Sequence, residues 1–239
     1  LCVSTQAGCK MGCRFCMTGT LGFACHLTAA EIINQIFSVP HSDRLTNLVY
    51  MGEGEPCDNI DAVLRSIDIL TSSWGCGWSP KRITVSSVGY IPGLKRLLSE
   101  SDCHIAISLH NPFSQERQEI MPIEKAYPIN EVLSLLQRED WHHQRRISFE
   151  YICFGGLNDT PRHARELVSM LKNLECRVNL IRFHKDPESN NNLPASDVER
   201  MVWLRDYLSQ HGITCTIRQS RGEDILAACG MLVNKLKQK

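Results

Sequence analysis

Asn47-Leu48-Val49-Tyr50-Met51-Gly52-Glu53-Gly54-Glu55-Pro56 is the stretch from which the fold can be read. A short apolar run bounded by glycines reads as a buried strand. Ile60, Val63, Leu64, Ile67 and Leu70 then recur at helical spacing. Asp58 stands where an N-cap is expected. The same strand-then-helix unit repeats along the chain. Upstream, residues 1–5 read as a strand, and Thr28-Ala29-Ala30-Glu31 is a capping-box signature opening a helix through Ile32, Ile33, Ile36 and Phe37. Downstream, strands are expected over 82–86, 104–108, 146–152 and 177–183. Helices are expected over 91–99, from a cap at Asn130, and from Thr160-Pro161, where proline suits the first turn. A long helix stopped by Gly212, a strand over 213–217 and a stretch over 224–239 close the chain. The pattern predicts an α/β fold in a single domain, residues 1–239. It is a parallel sheet of six strand–helix units curved into a partial barrel, with a C-terminal strand and helix added.

In such folds ligands bind at the carboxyl ends of the strands. The chemically suggestive residues fall there. Cys9, Cys13 and Cys16 follow the first strand, Gly54 and Glu55 the second, and Ser86 the third. Ser108, Leu109 and His110 follow the fourth, and His184 the sixth. Scatter along the chain thereby becomes convergence in space. The thiols are spaced CxxxCxxC, close enough to share one soft metal centre. Structural zinc wants four ligands, usually from two Cys-x-x-Cys pairs, and only one such pair is present. An iron–sulfur centre with one open corner is the favoured reading and zinc the alternative. Gly52 to Pro56 reads equally as a turn or as a loop whose backbone approaches a ligand. A lone histidine is most often a satisfied core residue, a reading that stays open for His110 and His184.

The chain has 239 residues, 43% of them hydrophobic, and no apolar run of bilayer-spanning length, so no membrane partner is expected. Lys plus Arg and Asp plus Glu are 26 each, a net charge of zero that counts against a nucleic-acid partner unless a local patch supplies it. Of twelve cysteines, those at 25, 57, 76, 103, 153, 176 and 215 stand singly, several within apolar runs, as reduced buried thiols do. A reducing, cytoplasmic compartment is expected. The basic residues Lys81-Arg82 and the run over 142–146 precede strands and read as solvated surface at the rim away from the ligand end. The chain opens on Leu1, so a preceding segment is expected.

The chain resembles the radical S-adenosylmethionine superfamily and, within it, the RlmN/Cfr family of RNA adenine methyltransferases. The likeness rests on Cys2-Val3-Ser4-Thr5-Gln6-Ala7-Gly8-Cys9, the cysteine triad, Met51 to Pro56, Ile107 to Asn111, Met121-Pro122-Ile123, Asn179-Leu180-Ile181, and Arg221 to Gly230. It implies that Cys9, Cys13 and Cys16 hold a 4Fe–4S cluster, and that two S-adenosylmethionine molecules are used per turnover. Gly54, Glu55, Ser86, Ser108, Leu109 and His110 match cofactor-contacting positions; His184 stands where many members have Asn. Cys229 matches a methyl-carrying cysteine, and Cys2 a second essential cysteine that forms a disulfide with it on product release. The implied product is 2-methyladenosine in 23S rRNA and tRNA, formed by a monomer with a flavodoxin- or ferredoxin-type reductant. Methylation at adenine carbon 8 uses shared motifs and is one alternative. A non-catalytic iron–sulfur or zinc module is the other. The family's RNA-binding accessory domain, with its proton acceptor, falls upstream of Leu1, and residues 23–27 lack a basic residue common in the family.

Overall fold

The computed structural model describes residues 1–20, 22–139, 141, 145–184 and 192–218. Its strands are β1 (Cys2–Val3), β2 (Gln6–Gly8), β3 (Phe23–His26), β4 (Leu48–Tyr50), β5 (Ile83–Ser87), β6 (His104–Ser108), β7 (Ile147–Cys153), β8 (Cys176–Arg182) and β9 (Thr214–Ile217). Its helices are α1 (Met17–Thr20), α2 (Ala29–Phe37), α3 (Ile60–Thr71), α4 (Ile91–Glu100), α5 (Ser114–Ile120), α6 (Ile129–Arg138), α7 (Pro161–Leu171) and α8 (Val198–Gln210). Seven strands form one sheet in the order β1-β4-β5-β6-β7-β8-β9, and every neighbouring pair is parallel. Spatial order follows chain order, as expected for the wall of a partial barrel. β2 and β3 form a separate antiparallel hairpin.

Strand alternation divides the labour between the two faces. Val85, Ile105, Ile107, Phe149, Tyr151 and Leu180 point towards the helices and share a core with Ile32, Ile36, Val63, Leu70, Leu94 and Leu97. Each such side chain stabilises the fold by about 1.5–3 kcal/mol. Intervening residues such as Ser86, Ser108, Glu150 and Ile152 face the other side and line a cleft.

The capping box at Thr28 forms in full: Glu31 N–H donates to Thr28 Oγ1 at 3.2 Å, and Thr28 N–H to Glu31 Oε2 at 2.8 Å. Two expected caps do not form. α3 starts after a short 3₁₀ turn, and Asp58 instead accepts from Gln6 Nε2 at 2.7 Å and pairs with Lys10 at 3.0 Å. Pro128 holds the cap position of α6, which places Asn130 inside the helix. Arg82 and Arg145 are not simply solvated. Arg82 Nε donates to Thr46 O at 2.7 Å. Arg145 donates to Leu97 O, Leu98 O and Cys103 O, closing the C-terminal carbonyls of α4. Cys57, Cys103, Cys153 and Cys215 are buried and Cys76 and Cys176 half-buried, but Cys25 is exposed; all are free thiols. Among the described residues no helix is long and apolar enough to cross a membrane. The expected segment over 224–239 lies outside the described residues.

Candidate active site

The cleft at the carboxyl ends of β4 to β8 encloses about 910 Å³, counting space continuous with solvent. Cys9, Cys13 and Cys16 all line it, as do Gly54, Glu55, Ser86, Ser108 and His110. The cysteine loop leaves the β2–β3 hairpin at a bulge beside Gly8, where φ is +77° and a Cβ would lie 2.0 Å from Gly22 O. Only glycine fits there. Cys9 N–H then donates to Gly22 O at 2.9 Å and Cys16 N–H to Cys13 O at 3.1 Å, folding the loop back over the strand ends. Burial pushes the Cys9 thiol up to about 11, and the Cys13 thiol is pushed higher by burial and by the charges of Cys16 and Cys9.

Three thiols near one another favour a soft metal group that takes them as thiolates. Three thiols from one short loop match a cluster with one open corner, whereas structural zinc usually draws four ligands from two Cys-x-x-Cys pairs, of which this loop has one.

Gly54 adopts φ +97°, and a Cβ there would lie 2.5 Å from the Gln6 side chain, so the loop after β4 presses against the start of the hairpin. Glu55 is buried, and its bonds are internal. Its N–H donates to Gln6 Oε1 at 2.9 Å, while its carboxylate accepts from Cys57 N–H at 3.0 Å and Val88 N–H at 2.9 Å. Burial pushes this carboxyl up to about 7 against those donors. Glu55 thus ties the β4 loop to the end of β5 at the cleft wall.

His110 is the buried centre of the β6 end. Ile152 N–H donates to its Nδ1 at 3.0 Å, which leaves the proton on Nε2 of the neutral ring. Burial and the nearby Arg117 push its pKa down to about 3. Its backbone φ is 54°, an unusual value for a non-glycine residue. Asn158 Nδ2 holds this conformation by donating to His110 O at 2.6 Å and Ile152 O at 2.7 Å. Phe15 from the cysteine loop meets the His110 ring edge-on at 4.7 Å.

Two expected site residues are not among those whose side chains line the cleft. The Leu109 side chain is fully buried in the helix-side core. His184 is half-buried just beyond β8 and is not among the cleft-lining residues. Cys2 is exposed in the edge strand β1. Its neighbour Val3 faces the helix-side core, so alternation turns Cys2 to the opposite face of the sheet. The expected disulfide partner, Cys229, lies outside the described residues, as do Arg221 to Gly230.

Three residues that organise the site were not singled out from sequence. Arg117 of α5 is fully buried and pairs with buried Glu124. It also donates to Leu109 O at 2.9 Å, Ser108 O at 2.8 Å and Val88 O at 2.9 Å, clasping the ends of β5 and β6. Asn158 sits in Gly155-Gly156-Leu157-Asn158, which reads as an ordinary turn. Glu150 lies in a strand at an inward position, and a carboxylate inside an otherwise apolar run was the available signal.

A family model described as the radical SAM superfamily matches residues 3–171. A probable dual-specificity RNA methyltransferase RlmN from Phocaeicola vulgatus is 58% identical over 239 residues, 100% of this chain and 68% of the relative. The RlmN of Syntrophobacter fumaroxidans is 41% identical over 237 residues, 98% of this chain and 69% of the relative. A solved radical SAM methyltransferase from Sphaerobacter thermophilus superposes with a TM-score of 0.90 at 39% identity, covering 96% of this chain and 69% of that one. Family model and full-length identity thus agree with the cleft: the chain belongs to the radical SAM superfamily and, within it, to the RlmN family, and its cofactors are a 4Fe–4S cluster and S-adenosylmethionine.

Proposed function

We propose that the chain is the catalytic core of an RNA methyltransferase that forms 2-methyladenosine in 23S rRNA and tRNA. The observation that carries this reading is the gathering of Cys9, Cys13, Cys16, Gly54, Ser86, Ser108 and His110 on one cleft in a chain 58% identical to a dual-specificity RNA methyltransferase. When bound, the cluster and S-adenosylmethionine supply the one-electron chemistry that removes a hydrogen atom from an unactivated methyl group. That chemistry answers a real difficulty, because carbon 2 of adenine is a poor nucleophile and polar methyl transfer to it fails.

The three loop thiols would hold the cluster as thiolates, and Gly54 lets the loop after β4 pack against Gln6 at the cleft wall. Ser86 and Ser108 present hydroxyls from the cleft wall. His110, neutral with its proton on Nε2, is a hydrogen-bond donor whose charge stays fixed across the working pH range. The apolar lining of Met11, Phe15, Ile152 and Ile181 excludes water from the reacting groups. Cys229 Sγ would carry the methyl group as a thioether; the methyl group gives up one hydrogen atom to the one-electron chemistry of the bound cofactors, and its carbon bonds to carbon 2 of adenine, the adduct losing one electron and the carbon-2 proton. The Cys2 thiolate then attacks Cys229 sulfur, the sulfur–carbon bond breaks as the disulfide forms, and the departing methylene carbon takes up a proton to become the methyl group of the freed base. An external reductant restores both thiols. RNA contacts beyond the cleft are assigned to the accessory domain of the family, which also accounts for a net charge of zero.

Nuclease digestion of RNA incubated with the cluster-loaded protein, methyl-deuterated S-adenosylmethionine and a one-electron reductant tests this. The expected nucleoside is labelled 2-methyladenosine; labelled 8-methyladenosine, or label on any other base, would refute the assignment.

A further inference from the structure

Arg117 is 0% exposed and its partner Glu124 is 2% exposed. Neutral N–H donors would satisfy the three carbonyls that Arg117 clasps, and a buried full charge is costly. What such a charge can do besides clasping depends on what lies beside it. α5, the helix that carries Arg117, is also the seat of the cysteine loop. One turn after Arg117, Ile120 O accepts from Arg14 N–H at 3.0 Å, and Glu119 O accepts from Arg14 Nη1 at 3.3 Å. Met11 and Cys13 share a small apolar core with Ile120 and Met121. Among the charges acting on the Cys13 thiol, those of Cys16, Cys9 and Glu55 oppose a further negative charge, and that of Arg117 favours it. Glu124 is tied to the start of α6, where Ile129 N–H donates to its two oxygens at 3.1 and 3.0 Å. The buried pair thus acts on Cys13 through its positive member.

Three thiolates already outweigh the positive charge of an oxidised 4Fe–4S core, and reduction adds one negative charge more. In a desolvated site that added charge is disfavoured unless a fixed cation offsets it. Net charge around a cluster is one of the levers that set its potential. A guanidinium suits the task, because it cannot be titrated away. Here it is also immobilised through all three of its nitrogens, by Leu109 O, Glu124, Val88 O and Ser108 O.

We infer that Arg117 is a positioning residue for electron transfer, its buried charge raising the reduction potential of the cluster held by Cys9, Cys13 and Cys16. The external one-electron reductant loses one electron and the cluster gains it, with no bond made or broken in the protein. This rests on reading the three loop thiols as the cluster's ligands.

The test is a potentiometric titration, read by electron paramagnetic resonance, of anaerobically cluster-loaded wild type, Glu124→Gln, Arg117→Lys and Arg117→Met. Glu124→Gln removes the opposing negative charge while keeping an acceptor for Ile129 N–H. It is expected to favour reduction about tenfold, an upward shift of about 59 mV for a one-electron couple. Arg117→Met is expected to move the potential downward by a similar amount, and Arg117→Lys to bring it back towards wild type because the charge returns. A purely structural clasp predicts otherwise: Glu124→Gln and Arg117→Met break the same pair and would move the potential in the same direction. Shifts of the same sign, or unchanged potentials in variants that keep their iron, would overturn the proposal. Iron content and thermal midpoint report which variants are intact. Should Arg117→Met lose its cluster, Glu124→Gln decides by its sign, and a downward or absent shift there refutes the inference. A wild type that takes up no reducible cluster would instead sink the reading of the loop thiols, and the role of Arg117 with it.

Discussion

Cys13→Ala is expected to abolish the cluster and reduce RNA methylation to background, whereas Cys103→Ala leaves both intact. Both cysteines are buried free thiols, so burial does not distinguish them. Position does. Cys13 lines the cleft with Cys9 and Cys16, the three thiols there among the described residues, and the loss of one leaves two corners of a cluster held. Cys103 packs in the helix-side core at the start of β6, and its loss removes a small apolar contact. Iron quantitation and the low-temperature electron paramagnetic resonance of the reduced proteins check this. A normal signal in Cys13→Ala would contradict the assignment of the triad. The metal-free Cys13→Ala protein should remain folded, since a substitution of this kind costs about 1 kcal/mol.

Arg117→Met is expected to have the largest effect on stability. The Arg117 guanidinium is fully buried against Glu124, and its remaining donors satisfy three carbonyls at the ends of β5 and β6. Removing one partner of a buried pair strands the other charge, at a cost of about 3–5 kcal/mol. For a domain of this length that corresponds to a fall in thermal midpoint of roughly 6–20 °C. Adding Glu124→Leu removes the stranded carboxylate and should recover part of the loss. Recovery stays incomplete because Leu109 O, Ser108 O and Val88 O still lack their donor. Calorimetric unfolding of the three proteins measures this. A single-variant loss below about 1 kcal/mol would mean that the pair is not the clasp described.

The parallel architecture was legible because its signals are local and repeated. Apolar runs at 47–51 and 104–108 match β4 and β6 closely, Thr28 and Glu31 form their capping box, and Pro161 opens α7. Caps failed where a tertiary partner claimed the side chain: Asp58 is taken by Gln6 and Lys10. α5 was missed because Ser114 to Ile120 is short and polar, with no apolar stripe to betray it. Arg117 lies in that segment, and a lone arginine in a polar run reads as surface until the strands it clasps are known. The cleft residues were legible by a different route, since the carboxyl ends of parallel strands converge whatever the loops between them do. Leu109 shows the limit of that rule: it places a residue at the rim and does not say which way its side chain turns.

Methyl transfer in this cleft is proposed to run through Cys229. The most direct measurement is mass spectrometry of the Cys229 peptide from cluster-loaded protein incubated with methyl-deuterated S-adenosylmethionine and reductant. One labelled methyl group is expected on Cys229 and none on the other cysteines. An unmodified Cys229, in protein shown by titration to bind S-adenosylmethionine, would contradict it.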